Sequence, residues 1–281
     1  MRVVKSIGQM QEFSKAALRS GKTIGFVPTM GALHDGHLSL IRSSCKENDI
    51  TVVSIFVNPI QFGPKEDFRN YPRVFKNDAY LCGKAGVDII FYPAAKEMYG
   101  PDYRTYIEVM QLDRFLCGAF RPGHFRGVAT VVAKLFNIVM PDRAYFGQKD
   151  AQQARIIVKM VEDLNMPVDI RIISIVREKD GLALSSRNIY LNESQRRDAV
   201  VLFQALKLAK SLIKSGKRDS AGVVRQMRGL ISTKKTASLQ YISIVDQRDL
   251  KPLKTIKGKA LIALAVFFGK TRLIDNICVT C

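Results

Sequence analysis

The segment PTMGALHDGH, residues 28–37, follows an apolar run and opens a helix-period stretch. Gly31 and Gly36 permit close backbone approach, and a helix beginning near His37 aims its first N–H groups and the positive end of its dipole at the turn. His34 and His37 are three residues apart, so both can face one anionic ligand. With only three histidines in 281 residues, two on one glycine-flanked turn point to a phosphate site; the alternative is a pair of solvated loop histidines.

Three other segments are polar enough to carry chemistry. FVNPIQFGPKEDFRNYPR, residues 56–73, places the amides Asn58 and Gln61 just past the carboxyl end of an apolar strand, where open parallel sheets bind ligands. Its length also suits a surface Ω-loop. The run Phe146-Gly147-Gln148-Lys149-Asp150, with Gln152 and Gln153 after it, is again a strand end turning into a helix. Lys149 suits a phosphate there, and Gln153, one turn in, suits a carboxylate or hydroxyl. Leu184-Ser185-Ser186-Arg187 offers two hydroxyls and a guanidinium to a polyphosphate, and would equally make a turn and a helix cap.

Other motifs fail. Phe268-Gly269-Lys270-Thr271 ends like a Walker A loop, but that motif requires glycine where Leu264 stands, and no Gly-x-Gly-x-x-Gly follows a strand. The five cysteines are scattered and odd in number, which argues for reduced thiols; Cys278 and Cys281 have Cys-x-x-Cys spacing without the second ligand pair that zinc needs.

The elements that must position these groups alternate. Strands are expected at 23–27, 50–57, 87–92, 143–146 and 168–176, and helices at 9–18, 37–46, 75–85, 126–139 and 151–164 with Asp150 as cap, the pattern of βαβ units in a parallel sheet. After residue 176 the texture changes. Asn192 caps a long amphipathic helix running to Lys214 with Gly216 as its stop, a second helix covers 220–232, and strands at 239–245, 260–268 and 272–279 close the chain. The expected architecture is an α/β domain over 1–176 and a smaller α+β domain over 177–281.

Hydrophobic residues at 47% and charged residues at 25% exclude disordered and fibrous classes. No apolar run reaches the roughly 18 residues needed to span a bilayer. The first residues lack the apolar stretch of a secretory signal, so a cytoplasmic protein is expected. The net charge of +19 is concentrated in residues 177–281, which hold 21 Lys/Arg against 8 Asp/Glu. Such a domain could bind nucleic acid, a membrane surface or a polyphosphate, or present solvated lysine-rich helices.

Taken together, PTMGALHDGH, FVNPIQF with EDFRNYPR, RPGHFRGV with KLFNIVMPDRAYFGQKDAQQ, VREKDGLALSSRN and TRLIDN resemble the pantothenate synthetase (pantoate-β-alanine ligase) family, in the family's order from about residue 24 to 276. The resemblance implies a Rossmann-like, nucleotidyltransferase-type domain with a smaller carboxyl-terminal lid domain, and a cytoplasmic homodimer that makes pantothenate for the coenzyme A pathway. It implies an ATP site at Met30, Gly31, Ala32, Leu33, His34, Asp35, Gly36 and His37, with His34 and His37 on the phosphates and His37 as proton donor. Gly147, Gln148, Lys149, Asp150, the Val176 backbone, Leu184, Ser185, Ser186 and Arg187 would complete that site. Gln61 would touch pantoate and β-alanine, and Gln153 pantoate. Gln148 departs from the family's usual Glu, and the basic carboxyl-terminal third is not explained by the family pattern.

The implied reaction joins ATP and pantoate into pantoyl adenylate and pyrophosphate, after which β-alanine displaces AMP. Lys149, Arg187, His34, His37 and the helix dipole are then donors placed to stabilise departing pyrophosphate, with catalytic assistance from Ser185 and Ser186. Mg2+ would bridge ATP oxygens mainly through phosphates and water, with Asp78, Asp142 and Asp150 as unranked carboxylate candidates. Two other classes remain open at this stage. A relative that transfers AMP to a phosphorylated acceptor would keep the histidine turn without needing Gln61 and Gln153. A nucleic-acid-binding protein would account for the charge, but its aromatic residues should be interleaved with the basic runs, and they are not.

Overall fold

The computed structural model describes residues 1–64 and 66–281; Lys65, inside the 56–73 segment, lies outside the described residues. A three-residue strand, β1 (Arg2–Val4), precedes helix α1 (Ile7–Arg19), which Ser6 caps by accepting from the Gln9 N–H. Then come β2 (Ile24–Thr29), α2 (Asp35–Glu47), β3 (Ile50–Ile55), α3 (Phe75–Lys84), β4 (Ile89–Phe91), the short α4 (Ala95–Met98), α5 (His124–Val139), β5 (Arg143–Gly147), α6 (Ala151–Asp163) and β6 (Asp169–Ile173). Every residue of β3 and β4 is buried, as strands covered by helices on both faces require.

These six strands form one parallel sheet in the order β1-β4-β3-β2-β5-β6. Strand order reverses between β2 and β5, and in a doubly wound sheet the carboxyl edge at such a reversal is where ligands bind. Two of the segments singled out in the sequence begin at the carboxyl ends of these two strands, residues 28–37 at β2 and 146–153 at β5. Observed β3, β4 and β6 are shorter than expected, and α2 starts two residues early because His34 serves as its N-cap.

The chain divides into two compact units. The first comprises residues 1–110, 121–147 and 153–174; the second comprises 111–120, 148–152 and 175–281. In the second, the expected long helix is two, α7 (Glu193–Ala199) and α8 (Val201–Lys214), separated at Val200. Asn192 is the N-cap of α7, as the sequence suggested, and Gln195 completes a capping box with it. Helix α9 (Ser220–Ser232) follows, and β7 (Ala237–Asp246), β8 (Lys259–Phe268) and β9 (Thr271–Thr280) make an antiparallel sheet in that order. Leu202, Leu206, Val223 and Met227 from the helices share one core with Ile262, Leu264 and Val266 of β8. Gly269 and Lys270 are the β8–β9 hairpin turn, with Gly269 at φ +59°, so the Walker-like string is hairpin chemistry. Among the described residues no helix is long and apolar enough to cross a membrane.

Candidate active site

The histidine turn is built by internal anchoring. Thr29, the last residue of β2, donates its hydroxyl to the Ser54 carbonyl at 2.7 Å and accepts from the Gly31 N–H at 3.2 Å. The next two N–H groups, of Ala32 and Leu33, reach the two carboxylate oxygens of Asp78 on α3 at 2.9 and 2.8 Å. Burial pushes the Asp78 carboxyl above its ordinary range, and those two donors oppose the shift. Gly31 sits at φ +85° and Ala32 at φ +51°.

His34 then caps α2 with its own ring, Nδ1 accepting from the Gly36 N–H at 3.1 Å. A neutral imidazole that accepts at Nδ1 carries its proton on Nε2. The His34 and His37 rings lie 4.2 Å apart between centroids, so the three-residue spacing does bring the two imidazoles together. The N–H groups of residues 31, 32, 33 and 36 all have partners within the first unit, so these four are engaged in holding the turn.

Beside it lies an amide cluster. Gln61 ends a 3₁₀ turn, Pro59–Gln61, that follows β3; it is buried, and its Nε2 donates to the Met30 sulfur at 3.0 Å. Asn58, 1% exposed, donates to Gln61 Oε1 and to the Gly127 carbonyl and accepts from the Tyr99 hydroxyl. The Gln61 backbone carbonyl meets His124 Nδ1 at 2.8 Å, His124 Nε2 meets Arg121 at 2.8 Å, and Arg121 forms a two-pronged ion pair with Glu66 at 2.6 Å. Burial opposes the Glu66 charge, but Arg121 outweighs it and holds the carboxyl below its usual range. Met30 and Gln61, assigned to different ligands by the sequence, are therefore in direct contact. Gln153 is the third residue of α6, half-buried just past the carboxyl end of β5.

In the second unit, Gln148, Lys149 and Asp150 form a 3₁₀ turn that Asn276 grips. The Asn276 amide donates to the carbonyls of Gln148 and Lys149 at 2.9 Å each and accepts from the Gln148 side chain at 3.0 Å. Gln148 thus has a structural partner, and its departure from Glu leaves a neutral amide suited to Asn276. Asp275, 2% exposed, is bound by both Arg177 guanidinium nitrogens at 2.6 and 2.9 Å; burial still leaves its carboxyl above the ordinary range. The Val176 carbonyl accepts from the Leu184 N–H at 3.0 Å, and Ser185 caps a 3₁₀ turn through the Arg187 N–H. Ser185 therefore performs the cap that its sequence context allowed, with Ser186 and Arg187 on the turn it starts.

The carboxylate candidates for magnesium separate by position. Asp142 accepts from the N–H of Ile24, the first residue of β2, and so stands at the amino edge of the sheet, away from the turns. Asp78 lies buried beneath the histidine turn, whereas Asp150 is exposed, with Lys149 4.0 Å away. Gln152, polar and adjacent to Gln153, is structural: it binds the Cys117 N–H and the carbonyls of Leu112 and Phe115. Sequence reasoning missed Tyr99, Asn276, Asp275 and the anchoring role of Asp78. Of these, only Asp275 and Asn276 lay in a quoted string, TRLIDN, which carried the family resemblance without a role for either residue.

The first unit is a doubly wound parallel sheet with a histidine pair opening the helix after β2, the fold class of the nucleotidyltransferase-like α/β enzymes. The family model for pantoate-beta-alanine ligase matches residues 2–278. The pantothenate synthetase of Caldicellulosiruptor bescii is 56% identical over 279 residues, covering 99% of both chains. The crystal structure of pantothenate synthetase from Thermus thermophilus superposes with a TM-score of 0.93 at 43% identity, covering 99% of each chain. That of pantoate-beta-alanine ligase from Francisella tularensis, complexed with beta-gamma ATP and β-alanine, gives 0.81 at 33% identity, covering 99% of this chain and 97% of the other. The chain belongs to the pantoate-β-alanine ligase family. Its reaction is the ATP-dependent condensation of pantoate with β-alanine through pantoyl adenylate, with release of AMP and pyrophosphate.

Proposed function

We propose that the histidine turn carries the first half of this reaction and the Gln61 cluster orients the acids for both halves. The observation that supports this most is the pairing of His34 and His37 on the first turn of α2, at the carboxyl edge where strand order reverses. A pantoate carboxylate oxygen attacks the α-phosphorus of ATP, and the bond to the bridging oxygen of the β-phosphate breaks. Negative charge grows on pyrophosphate as it leaves, and His34, His37 and the α2 dipole stabilise it, with His37 donating a proton. Lys149, Arg187 and the hydroxyls of Ser185 and Ser186 act on the same phosphates, and the ATP-binding set is that implied by the sequence: residues 30–37, 147–150, 176 and 184–187.

In the second half, the β-alanine amine attacks the acyl carbon, AMP departs with the former carboxylate oxygen, and the amine loses its proton. Gln61 binds pantoate and β-alanine, and Gln153 binds pantoate. Holding the acid in line with the phosphorus is an orientation effect worth up to about 7–11 kcal/mol in favourable cases. Magnesium enters with ATP as part of the substrate, held by phosphates and water, with exposed Asp150 as the carboxylate best placed to assist. The reading includes residues 1–176 as the catalytic domain, residues 177–281 as its smaller partner, and a homodimer on the strength of the family resemblance. It places the enzyme in the cytoplasm, which its five free cysteines support.

The order of chemistry has a direct test. Labelled pyrophosphate should exchange into ATP when pantoate is present and β-alanine absent. Production of ADP and phosphate instead would establish acyl-phosphate chemistry and refute the proposal.

A further inference from the structure

We infer that Asp78 is a positioning residue for the adenylation half-reaction, fixing the histidine turn from α3. The inference rests on the proposed role of the two histidines. Asp78 stands 45 and 46 residues beyond the backbone it holds, so its contact is a tertiary one that the turn cannot supply locally. Ala32 is left-handed at φ +51°, a conformation that a residue bearing a Cβ keeps only when its surroundings over-determine it. The groups that over-determine it are the two Asp78 oxygens on the N–H groups of Ala32 and Leu33, with Thr29 on the N–H of Gly31. Gly31 is matched to the same carboxylate: a Cβ there would lie 2.9 Å from Asp78 Oδ2 and 3.1 Å from Ile55 Cγ2, at a φ of +85°.

The carboxylate thus fixes the turn at two consecutive amides, one and two residues before His34. A carboxylate accepts at both oxygens, whereas an asparagine accepts at one and must turn its NH2 toward the other backbone N–H. Asp78→Asn therefore keeps size and shape while opposing one of the two anchors. The phosphates of ATP are contacted by imidazoles whose placement follows from this anchor, so the loss falls on the step that expels pyrophosphate.

The test compares Asp78→Asn, Gly31→Ala and His37→Ala in two separate measurements: pantoate-dependent pyrophosphate–ATP exchange, and release of AMP when β-alanine attacks supplied pantoyl adenylate. Misplacement of reacting groups by about 1 Å costs on the order of a hundredfold, so exchange should fall by that factor in Asp78→Asn and Gly31→Ala. Aminolysis, which involves no pyrophosphate, should change little. The double variant Asp78→Asn/Gly31→Ala should lose much less than the product of the single losses, since both disturb one contact. Equal loss in both half-reactions would make Asp78 a merely structural residue, and normal exchange in both variants would likewise overturn the inference. Gly31→Ala keeps the question open to measurement should Asp78→Asn fold poorly. If His37→Ala itself exchanges normally, the assignment of the histidine turn fails instead, whatever Asp78→Asn does.

Discussion

Gly127 lies on α5 where that helix crosses the backbone carrying Gln61, and replacing it with alanine sets two effects against each other. In a helix interior Gly→Ala ordinarily stabilises by about 1 kcal/mol. Here the added Cβ would lie 2.7 Å from both Gln61 Cα and the Ile60 carbonyl carbon, and closer still to the Ile60 carbonyl oxygen. Relaxed carbon contacts stand at about 3.5–4.0 Å, so the 3₁₀ turn must retreat by roughly 1 Å. Overpacking of this kind costs about 1–3 kcal/mol, and the obstacle is backbone, which cannot rotate away as a side chain would. The net effect should be destabilisation by about 0–2 kcal/mol. The kinetic effect should be larger, because the retreat strains the Asn58 bond to the Gly127 carbonyl and moves the Gln61 amide with it. A shift of about 1 Å at an orienting group is worth up to a hundredfold in rate. Steady-state assays with varied pantoate and β-alanine, beside thermal unfolding, measure both quantities. A Gly127→Ala enzyme with raised thermal stability and unchanged kinetics would show slack between α5 and the Gln61 turn, contrary to this prediction.

The ion pair behind His124 predicts a pH signature. Arg121 holds the folded Glu66 carboxyl below its unfolded value of 4.5, so the pair's stabilisation is present above that pH and is lost as pH falls through the folded value. The stability gap between the native chain and Glu66→Gln, about 1 kcal/mol near neutrality, should therefore close on acidification in urea titrations; a gap constant down to about pH 3 would contradict it. Asn276→Ala should remove three hydrogen bonds at a residue only 3% exposed, at about 2–4 kcal/mol, and raise the KM for ATP by loosening the Lys149 turn; an unchanged KM would detach that turn from ATP.

What could be read from the sequence, and what could not, divides by distance along the chain. The buried strands and their punctuation set out the α/β order, because strands covered on both faces are continuous apolar runs. β1 escaped because three residues at a sheet edge carry no period. The His34–His37 pair was legible as a three-residue spacing on a helix, and the Asn192 cap as a local motif. The Asp78 anchor, the Asn276 grip and the Glu66–Arg121 pair were not, since each joins groups more than 40 residues apart and its sequence context is an ordinary helix, strand or loop. Gln152 shows the converse: polar beside Gln153, it faces the Cys117 segment and holds it.

In the proposed mechanism His34 and His37 drive formation of the adenylate, which a single-turnover measurement reads directly. Enzyme in excess over labelled ATP, with pantoate and without β-alanine, is quenched at intervals and the pantoyl adenylate counted; β-alanine is then added to the adenylate already formed. His37→Ala should form adenylate about a hundredfold or more slowly, the scale of a lost proton donor or transition-state hydrogen bond, while its adenylate reacts with β-alanine at nearly the native rate. Adenylate formation at the native rate in His37→Ala, with the loss appearing only after β-alanine is added, would contradict the account.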